Sequence, residues 1–426
     1  MPVRGWTFGM AALAVLLVAL AAWTTVRQTR PQLHLPYGDF SYLHSGTECL
    51  VDRCDPYDST ALNRAALRRH EPKPSVWPMS PVYPPGTLLL LAPFARLEWP
   101  GAAFAFVRLA GLATMIACTL LVWSLRLEVR GPWTLPLATG LLCHPTAYAM
   151  QFGNPALLAT ALATTACLLL LAPAKEHDGS ARWLGALSLG AALTLKPQLA
   201  VGAVLVLLAR RESRSPAIKA CVVALLLLVA GTAAYGLRLG SFDFLTTFRR
   251  TLSLATQPGG AADFSSVNDE AFDFLNLQPA LDHLPGITRT LTSALAWSTA
   301  LLLTAAALWM GLRRSLARSR PWTLIALAVA ISLLPVYHRG YDRVIALLLI
   351  PAALELWQRS RIYAWAYCTV LTIWLANDTW MAHIGKRWQS TAQNGPEGLL
   401  LSLLLLASLW STGRSEHPLA LGTIEA

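Results

Sequence analysis

Apolar runs long enough to cross a bilayer recur from one end of this chain to the other, and that recurrence narrows its possible folds sharply. Hydrocarbon offers no partner for a bare N–H or C=O, so such runs close their backbone hydrogen bonds within helices. Hydrophobic residues make up 55% and charged residues 13% of the 426, and the mean hydropathy is +0.47. The expected class is an all-α polytopic membrane protein. At about 17 to 25 apolar residues per span, fewer where a segment is broken, roughly twelve spans are expected. They fall at about 7–26, 101–124, 133–150, 154–173, 182–195, 197–211, 216–237, 287–312, 321–337, 342–357, 361–378 and 397–412, with ends uncertain by about 4 residues.

The net charge of +11 does not indicate a nucleic-acid partner, because the arginines gather in short turns between apolar runs rather than on one soluble face. Arg126 and Arg130, Lys175 and Arg182, Arg210, Arg211, Arg214 and Lys219, Arg313, Arg314, Arg318 and Arg320, and Arg359 and Arg361 fall on alternate turns. The positive-inside trend places those turns, and both termini, in the cytoplasm. The expected setting is a multi-pass protein of the cell (inner) membrane. Its opposite face, periplasmic or exterior, is built from 28–100, 240–286, the turns near 151, 196 and 338, and 379–396. The apolar stretch Gly86 to Ala95 cannot be a full span without inverting everything after it, so it is expected to be re-entrant or interfacial. Ala19-Leu20-Ala21 resembles a signal-peptidase site, but the apolar run around it is long enough to span, and an uncleaved anchor is expected.

Five of the seven cysteines, Cys118, Cys143, Cys167, Cys221 and Cys368, lie in apolar spans as ordinary packing. Cys49 and Cys54 flank Leu50-Val51-Asp52-Arg53 in the first outer segment, where an oxidising exterior would allow a disulfide. A metal pair there lacks any further Cys or His at ligand spacing, and no metal or cofactor is expected.

The polar residues that a membrane tolerates poorly all gather on the outer face. Asp39 follows Pro36-Tyr37-Gly38 and precedes Phe40, Tyr42 and His44, so its carboxylate is expected beside aromatics, where partial desolvation raises basicity. A loop aspartate can equally cap a helix or pair with Arg30. Asp55-Pro56-Tyr57 is a turn starter, and Val82-Tyr83-Pro84-Pro85-Gly86 is a rigid lead into the re-entrant stretch. Gln151 and Asn154 break the apolar pattern at an outer turn, where amides bind sugar hydroxyls or cap a helix. Lys196-Pro197-Gln198 splits a long apolar stretch with a cation, which suits a phosphate or carboxylate, although a lysine can also snorkel to the headgroups. In the second outer segment Asp263, Asn268, Asp269, Glu270, Asp273, Asn276 and Gln278 alternate with Phe272 and Phe274. Tyr337-His338-Arg339-Gly340-Tyr341-Asp342-Arg343 then puts two arginines and a histidine on an outer turn, against the positive-inside trend. An anionic partner is implied, either a bound phosphate or an internal pair of Asp342 with Arg339 or Arg343.

In order along the chain, Asp39-Phe40, Asp55-Pro56-Tyr57, Tyr83-Pro84-Pro85, Gly153-Asn154, Leu195-Lys196-Pro197 and His338 to Asp342 form a pattern. It is similar to that of the glycosyltransferase family 87 membrane mannosyltransferases, over about the first 345 residues. The resemblance implies a GT-C fold and inverting transfer of a sugar, commonly mannose, from a polyprenyl-phosphate donor to a lipid or glycan acceptor outside the cytoplasmic leaflet. It implies Asp39 as general base, with His338 matching the family's later histidine. Here Gly153-Asn154 stands where a Gly-Gln-x-Asn pattern is common, and Gly340 separates His338 from Tyr341-Asp342. Independently of any family, such chemistry needs a base for the acceptor hydroxyl and cations for the departing phosphate. Asp39 supplies the first, and Lys196, His338, Arg339 and Arg343 the second. Tyr42, Tyr57, Tyr83, Gln151, Asn154, Asn276, Tyr341 and Asp342 are the candidates for holding sugar or acceptor. No nucleotide-phosphate loop or Asp-x-Asp motif is present. The rival classes are a transporter, suggested by the broken helices, and a non-catalytic membrane scaffold or lipid-linked glycan ligase.

Overall fold

The computed structural model describes residues 39–68, 82–125, 132–134, 136–137, 144–172, 179–265, 267–268, 274–282, 284–314, 320–384 and 395–412. The first expected span, at 7–26, lies outside them, as do Arg30, Asp269, Glu270, Phe272 and Asp273. Among the described residues every regular element is a helix, and strand-like pairing is confined to one antiparallel bridge between Phe274 and Arg339. The first outer segment, expected as loop, holds helix α1 (Asp39–Val51), α2 (Ser59–Arg68) and α3 (Pro85–Leu91), the last continued by a 3₁₀ turn, Ala92–Arg96. Then come α4 (Trp99–Leu125), α5 (His144–Phe152), α6 (Ala156–Leu171), α7 (Gly179–Leu195), α8 (Pro197–Ala209) and α9 (Arg211–Leu239). The second outer segment contributes α10 (Phe244–Thr256) and α11 (Gln278–Asp282). The remaining helices are α12 (Arg289–Arg314), α13 (Pro321–Ser332), α14 (Ala346–Arg359), α15 (Arg361–Ile384) and α16 (Gly395–Thr412), with a 3₁₀ turn, Gly340–Ile345, before α14.

The helix ends follow local chemistry. Pro197 pushes Lys196 out of the helical region, ending α7, and then serves as the first residue of α8, where its missing N–H costs nothing. Pro321 opens α13 the same way. The N–H groups of Trp322 and Thr323 donate to the carboxylate of Glu355, in the last turn of α14, at 3.0 and 2.8 Å. A carboxylate at the positive end of a helix is favourable, and it ties α13 and α14 into an antiparallel pair. Of the span expected at 133–150, Thr134, Pro136 and Leu137 are helical and a continuous helix is described from His144 to Phe152. The span expected at 342–357 begins as a 3₁₀ turn and becomes α-helical at Ala346.

Among the described residues, three helices are long and apolar enough to cross a membrane: Trp99–Ser124, Arg211–Leu239 and Arg289–Met310. Along α9 the large residues Ile218, Val222, Leu225, Leu226 and Val229 are exposed, the inverse of a water-soluble helix and the expected surface toward lipid. The chain is a helical membrane protein. Its centre is α6, whose Ala, Thr and Leu side chains are buried almost all round beneath α4, α7 and α8; small residues let helix backbones approach in such bundles.

The stretch expected as re-entrant is held by close backbone contact. A Cβ on Gly231 of α9 would lie 2.5 Å from the Pro85 carbonyl and the Gly86 nitrogen, and Thr87 Oγ1 donates to the Thr194 carbonyl of α7 at 2.6 Å. Arg238, near the end of α9, donates to the Val51 carbonyl at the end of α1 at 2.5 Å. Gly231→Ala is therefore expected to prise α3 from α9 and lower the melting temperature in detergent. Gly101→Ala, at a site with no atom within 4 Å of the added methyl, should leave it unchanged or raise it, through a gain of up to about 1 kcal/mol in stability. Equal melting temperatures for the two variants would show that the α3–α9 contact is not tight.

Candidate active site

Four breaks in helical structure come together at one end of the bundle. They are the start of α1 at Asp39, the corner between α5 and α6, the junction of α7 and α8, and the turn from α13 into the second 3₁₀ segment. The α5–α6 corner is set by Gly153, which adopts a left-handed backbone with φ +60°, the usual way for a helix to end. A Cβ there would also strike Phe40 Cβ at 2.7 Å, so only glycine lets the corner lie against the first turn of α1. The Asn154 side chain is turned inward by that corner. Its Oδ1 accepts from the Ala156 N–H at 2.8 Å, capping α6, and from Lys196 Nζ at 3.3 Å, while its Nδ2 donates to Asp39 Oδ2 at 2.5 Å.

Lys196 is buried, and its ammonium donates to Asp342 Oδ1 at 2.5 Å. The other oxygen of Asp342 takes His338 Nδ1 at 3.0 Å. Beside the lysine the carboxylate is ionised and can only accept, so Nδ1 carries the hydrogen. His338 Nε2 is fully buried and has no hydrogen-bond partner among the described residues. One continuous chain, Asp39–Asn154–Lys196–Asp342–His338, thus joins residues from four separate parts of the sequence. Lys196 has three N–H groups and spends two on these bonds; its ammonium also lies 5.0 Å from the centre of the Tyr341 ring. Burial pushes the Tyr83 hydroxyl well above the ordinary phenol range, and the nearby carboxylates of Asp39 and Asp342 push it further. Tyr83 therefore stays a neutral hydroxyl beside both acids.

The His338 turn is braced from outside by the second outer segment. Leu275 N donates to the His338 carbonyl and Leu277 N to the Leu334 carbonyl, both at 2.9 Å, and Phe274 packs edge-on against Tyr337. Arg339 donates to the Tyr337 hydroxyl and to the Ala261 carbonyl. The basic ends at Arg210, Arg320 and Arg359 belong to the opposite ends of α8, α13 and α14.

Other expected site residues lie elsewhere. Arg343 follows Asp342 in a 3₁₀ turn, where successive side chains diverge by about a third of a turn; it is buried in a small cavity with Thr114 and Thr146. The anionic residue on this turn, Asp342, pairs with Lys196 and His338 rather than with Arg339 or Arg343. Tyr57 donates to the Tyr83 carbonyl at 2.7 Å and packs against Tyr235 and Phe248, a bracing position. Tyr42 packs beside Cys49, Ala61 and Leu62. Asn276 is buried and bonded to Gln278. Gln151 is half-buried one residue before Phe152, whose ring faces Tyr341. Cys49 and Cys54 are joined by a disulfide at the end of α1. Among the described residues no group of three or more His, Cys, Asp and Glu side chains could hold a metal ion.

The model of glycosyltransferase family 87 matches residues 82–337, more than half of the chain. The chain belongs to glycosyltransferase family 87. No curated protein and no solved structure matches it. Membership makes this a membrane glycosyltransferase and sets the transporter reading aside. Asn154 and Lys196 fall within the match, whereas Asp39 precedes it and His338 and Asp342 follow it directly, so in this family 87 chain the roles of those three rest on their geometry. Sequence reading passed over Gly153 as a constraint and over 274–277 as the brace of the His338 turn. The Gly-Asn-Pro corner is a local signal for the first; the second depends on contacts too distant in sequence to leave one.

Removing one member of a buried ion pair costs roughly 3–5 kcal/mol, because it strands the other charge. Lys196→Met is expected to destabilise by about that much, and Lys196→Met with Asp342→Asn to recover most of the loss without recovering transfer. Thermal unfolding of the purified variants decides this; equal destabilisation of the single and double variants would mean that the pair is not formed.

Proposed function

We propose that this chain is an inverting hexosyltransferase of GT-C architecture. It moves a sugar, mannose in this reading, from a polyprenyl-phosphate donor to a lipid or glycan acceptor on the outer face of the membrane. The observation that carries the reading is the amide of Asn154, which holds a carboxylate on one side and an ammonium on the other. Sugar transfer from a lipid phosphate needs those two groups across one anomeric carbon, a base on the acceptor side and a cation on the leaving side.

Asp39 is the base in this scheme. Asn154 engages Oδ2, and Oδ1 takes no hydrogen bond among the described residues, leaving a lone pair for the acceptor hydroxyl. The departing phosphate gains charge as the glycosidic bond breaks, and the third N–H of Lys196 meets it. His338, oriented by its Nδ1 bond to Asp342, turns Nε2 toward the departing phosphate in this scheme, and Arg339 lies on the same turn. Gln151, Tyr83 and Tyr341 line the space for sugar and acceptor, and no metal or cofactor has a role in the scheme.

Depth supports a lipid-borne donor. At about 1.5 Å per residue α8 and α13 span only about 20 Å, against about 30 Å of hydrocarbon. With their basic ends at the cytoplasmic surface, Lys196 and the His338 turn lie below the outer surface, where a prenyl-linked phosphate can arrive from the side. The described parts of the two outer segments, α1 to α3 and α10 to α11, then lie on the outer side of the site, with α3 as the re-entrant element.

Purified enzyme given radiolabelled polyprenyl-phosphate-mannose and membrane-lipid acceptors should form a labelled glycolipid. Asp39→Asn should lower kcat by a factor of about 10² or more while melting like the parent. Unimpaired transfer by Asp39→Asn removes it as base. Transfer from a nucleotide sugar and not from the lipid-linked one removes the donor assignment.

A further inference from the structure

A second recess lies away from the Asp39–His338 chain, on the lipid-facing side of α13. Helices α8 and α12 both pack on α13 and leave between them a groove of about 500 Å³, within the ordinary range for small-molecule sites. A Cβ on Gly202 of α8 would lie 2.9 Å from the backbone of Ala328, so α8 lies almost on α13 and the floor is shallow. The walls are apolar, with Leu205 and Leu301 57% and 64% exposed. All the charge in the lining sits at one end, in Arg210, Arg211 and Glu212, while the far end is closed by Trp297, Ser332 and Pro335. Arg214 lies beside the charged end, donating to the Leu208 carbonyl at 2.9 Å. Glu212 stands 3.4 Å from Arg210 Nε, so three guanidinium groups face one carboxylate.

We propose that this groove is a binding site for an anionic glycerophospholipid, with one acyl chain along α8 and the phosphate at Arg210 and Arg211. From Val201 to Arg210 the helix rises about 14 Å, close to half of the ~30 Å hydrocarbon thickness. That is the depth of one leaflet and far short of a polyprenyl chain. Charge and apolar wall are ordered as in such a lipid, with the cationic end at the membrane surface. The positive-inside trend assigns that end to the cytoplasmic leaflet, where anionic lipids concentrate. The proposal does not depend on which sugar the enzyme transfers. An occupied groove would hold α8 and α13 in register, and both lead at their other ends into the Lys196 and His338 breaks.

The test uses the full chain purified in detergent, with thermal unfolding followed as phosphatidylglycerol or phosphatidylcholine of the same acyl composition is added. Phosphatidylglycerol should raise the melting temperature by several degrees, through binding to the folded state, and phosphatidylcholine by clearly less. Arg210→Gln with Arg211→Gln should abolish the difference, and Arg210→Lys with Arg211→Lys should preserve most of it. Ala307→Trp, which fills the groove and leaves the cations in place, should abolish the response to both lipids, and native mass spectrometry should then show the phospholipid lost. Equal stabilisation by the two lipids, or an undiminished difference in the double Gln variant, overturns the proposal. So does a raised KM for the polyprenyl-phosphate donor in Ala307→Trp with the phosphatidylglycerol response intact, which would assign the groove to the prenyl chain.

Discussion

The buried pair of Lys196 and Asp342 is the interaction on which the rest of this site depends. A lone charge in a membrane protein's interior costs several kcal/mol, so neither residue could stay ionised there without the other. The pair links α7 and α8 to the turn after α13, 146 positions away. Once formed it has capacity left over: Asp342 uses its second oxygen to orient His338, and Lys196 uses a second N–H to reach Asn154. Asn154 passes that order on to Asp39. In the proposed reading a structural ion pair and a catalytic constellation are the same object, and the cost of burying the charges is offset by bonds that would also align the chemistry.

Membership of glycosyltransferase family 87 supplies the reaction class, and the geometry narrows how it can run. The two carboxylates have different surroundings. Asp342 is engaged on both oxygens, by the Lys196 ammonium and by His338 Nδ1, which leaves it poorly suited to take up a proton. Asp39 meets a single amide among the described residues and is half-exposed, which suits the base proposed for it, since a bulky acceptor could reach it. Sequence alone placed Asp342 among the sugar-binding candidates; its bonds make it the anchor that holds the Lys196 ammonium and orients His338.

What the sequence reveals is what is encoded locally. Lys196-Pro197 reads as a helix break because proline constrains the residue before it, and Asn154-Pro155 reads as a cap for a related reason. The helical class follows from apolar run lengths. Less legible was the first outer segment, where Asp39 opens α1: the run from Asp39 to Val51 is too polar to announce a span and too short to declare itself by periodicity. Least legible were pairings across the chain. Nothing near Asp342 marks it as the partner of Lys196, and neighbouring positions mislead, since Asp342 and Arg343 diverge once the turn tightens to 3₁₀. Tyr57 and Asn276 looked like substrate residues by type and location, yet tertiary contacts use them to brace other segments.

The link between the ordered core and the proposed base runs through one hydrogen bond, from Asn154 Nδ2 to Asp39, and a double-mutant cycle on single-turnover sugar transfer isolates it. Asn154→Ser keeps an oxygen to cap α6, while its shorter side chain withdraws the amide Nδ2 that donates to Asp39. If Asn154 acts by holding Asp39, this substitution slows transfer in the parent enzyme and has almost no further effect in an Asp39→Asn background, because the residues form one unit. Equal slowing in both backgrounds would contradict the coupling of Asp39 to the Lys196–Asp342 core.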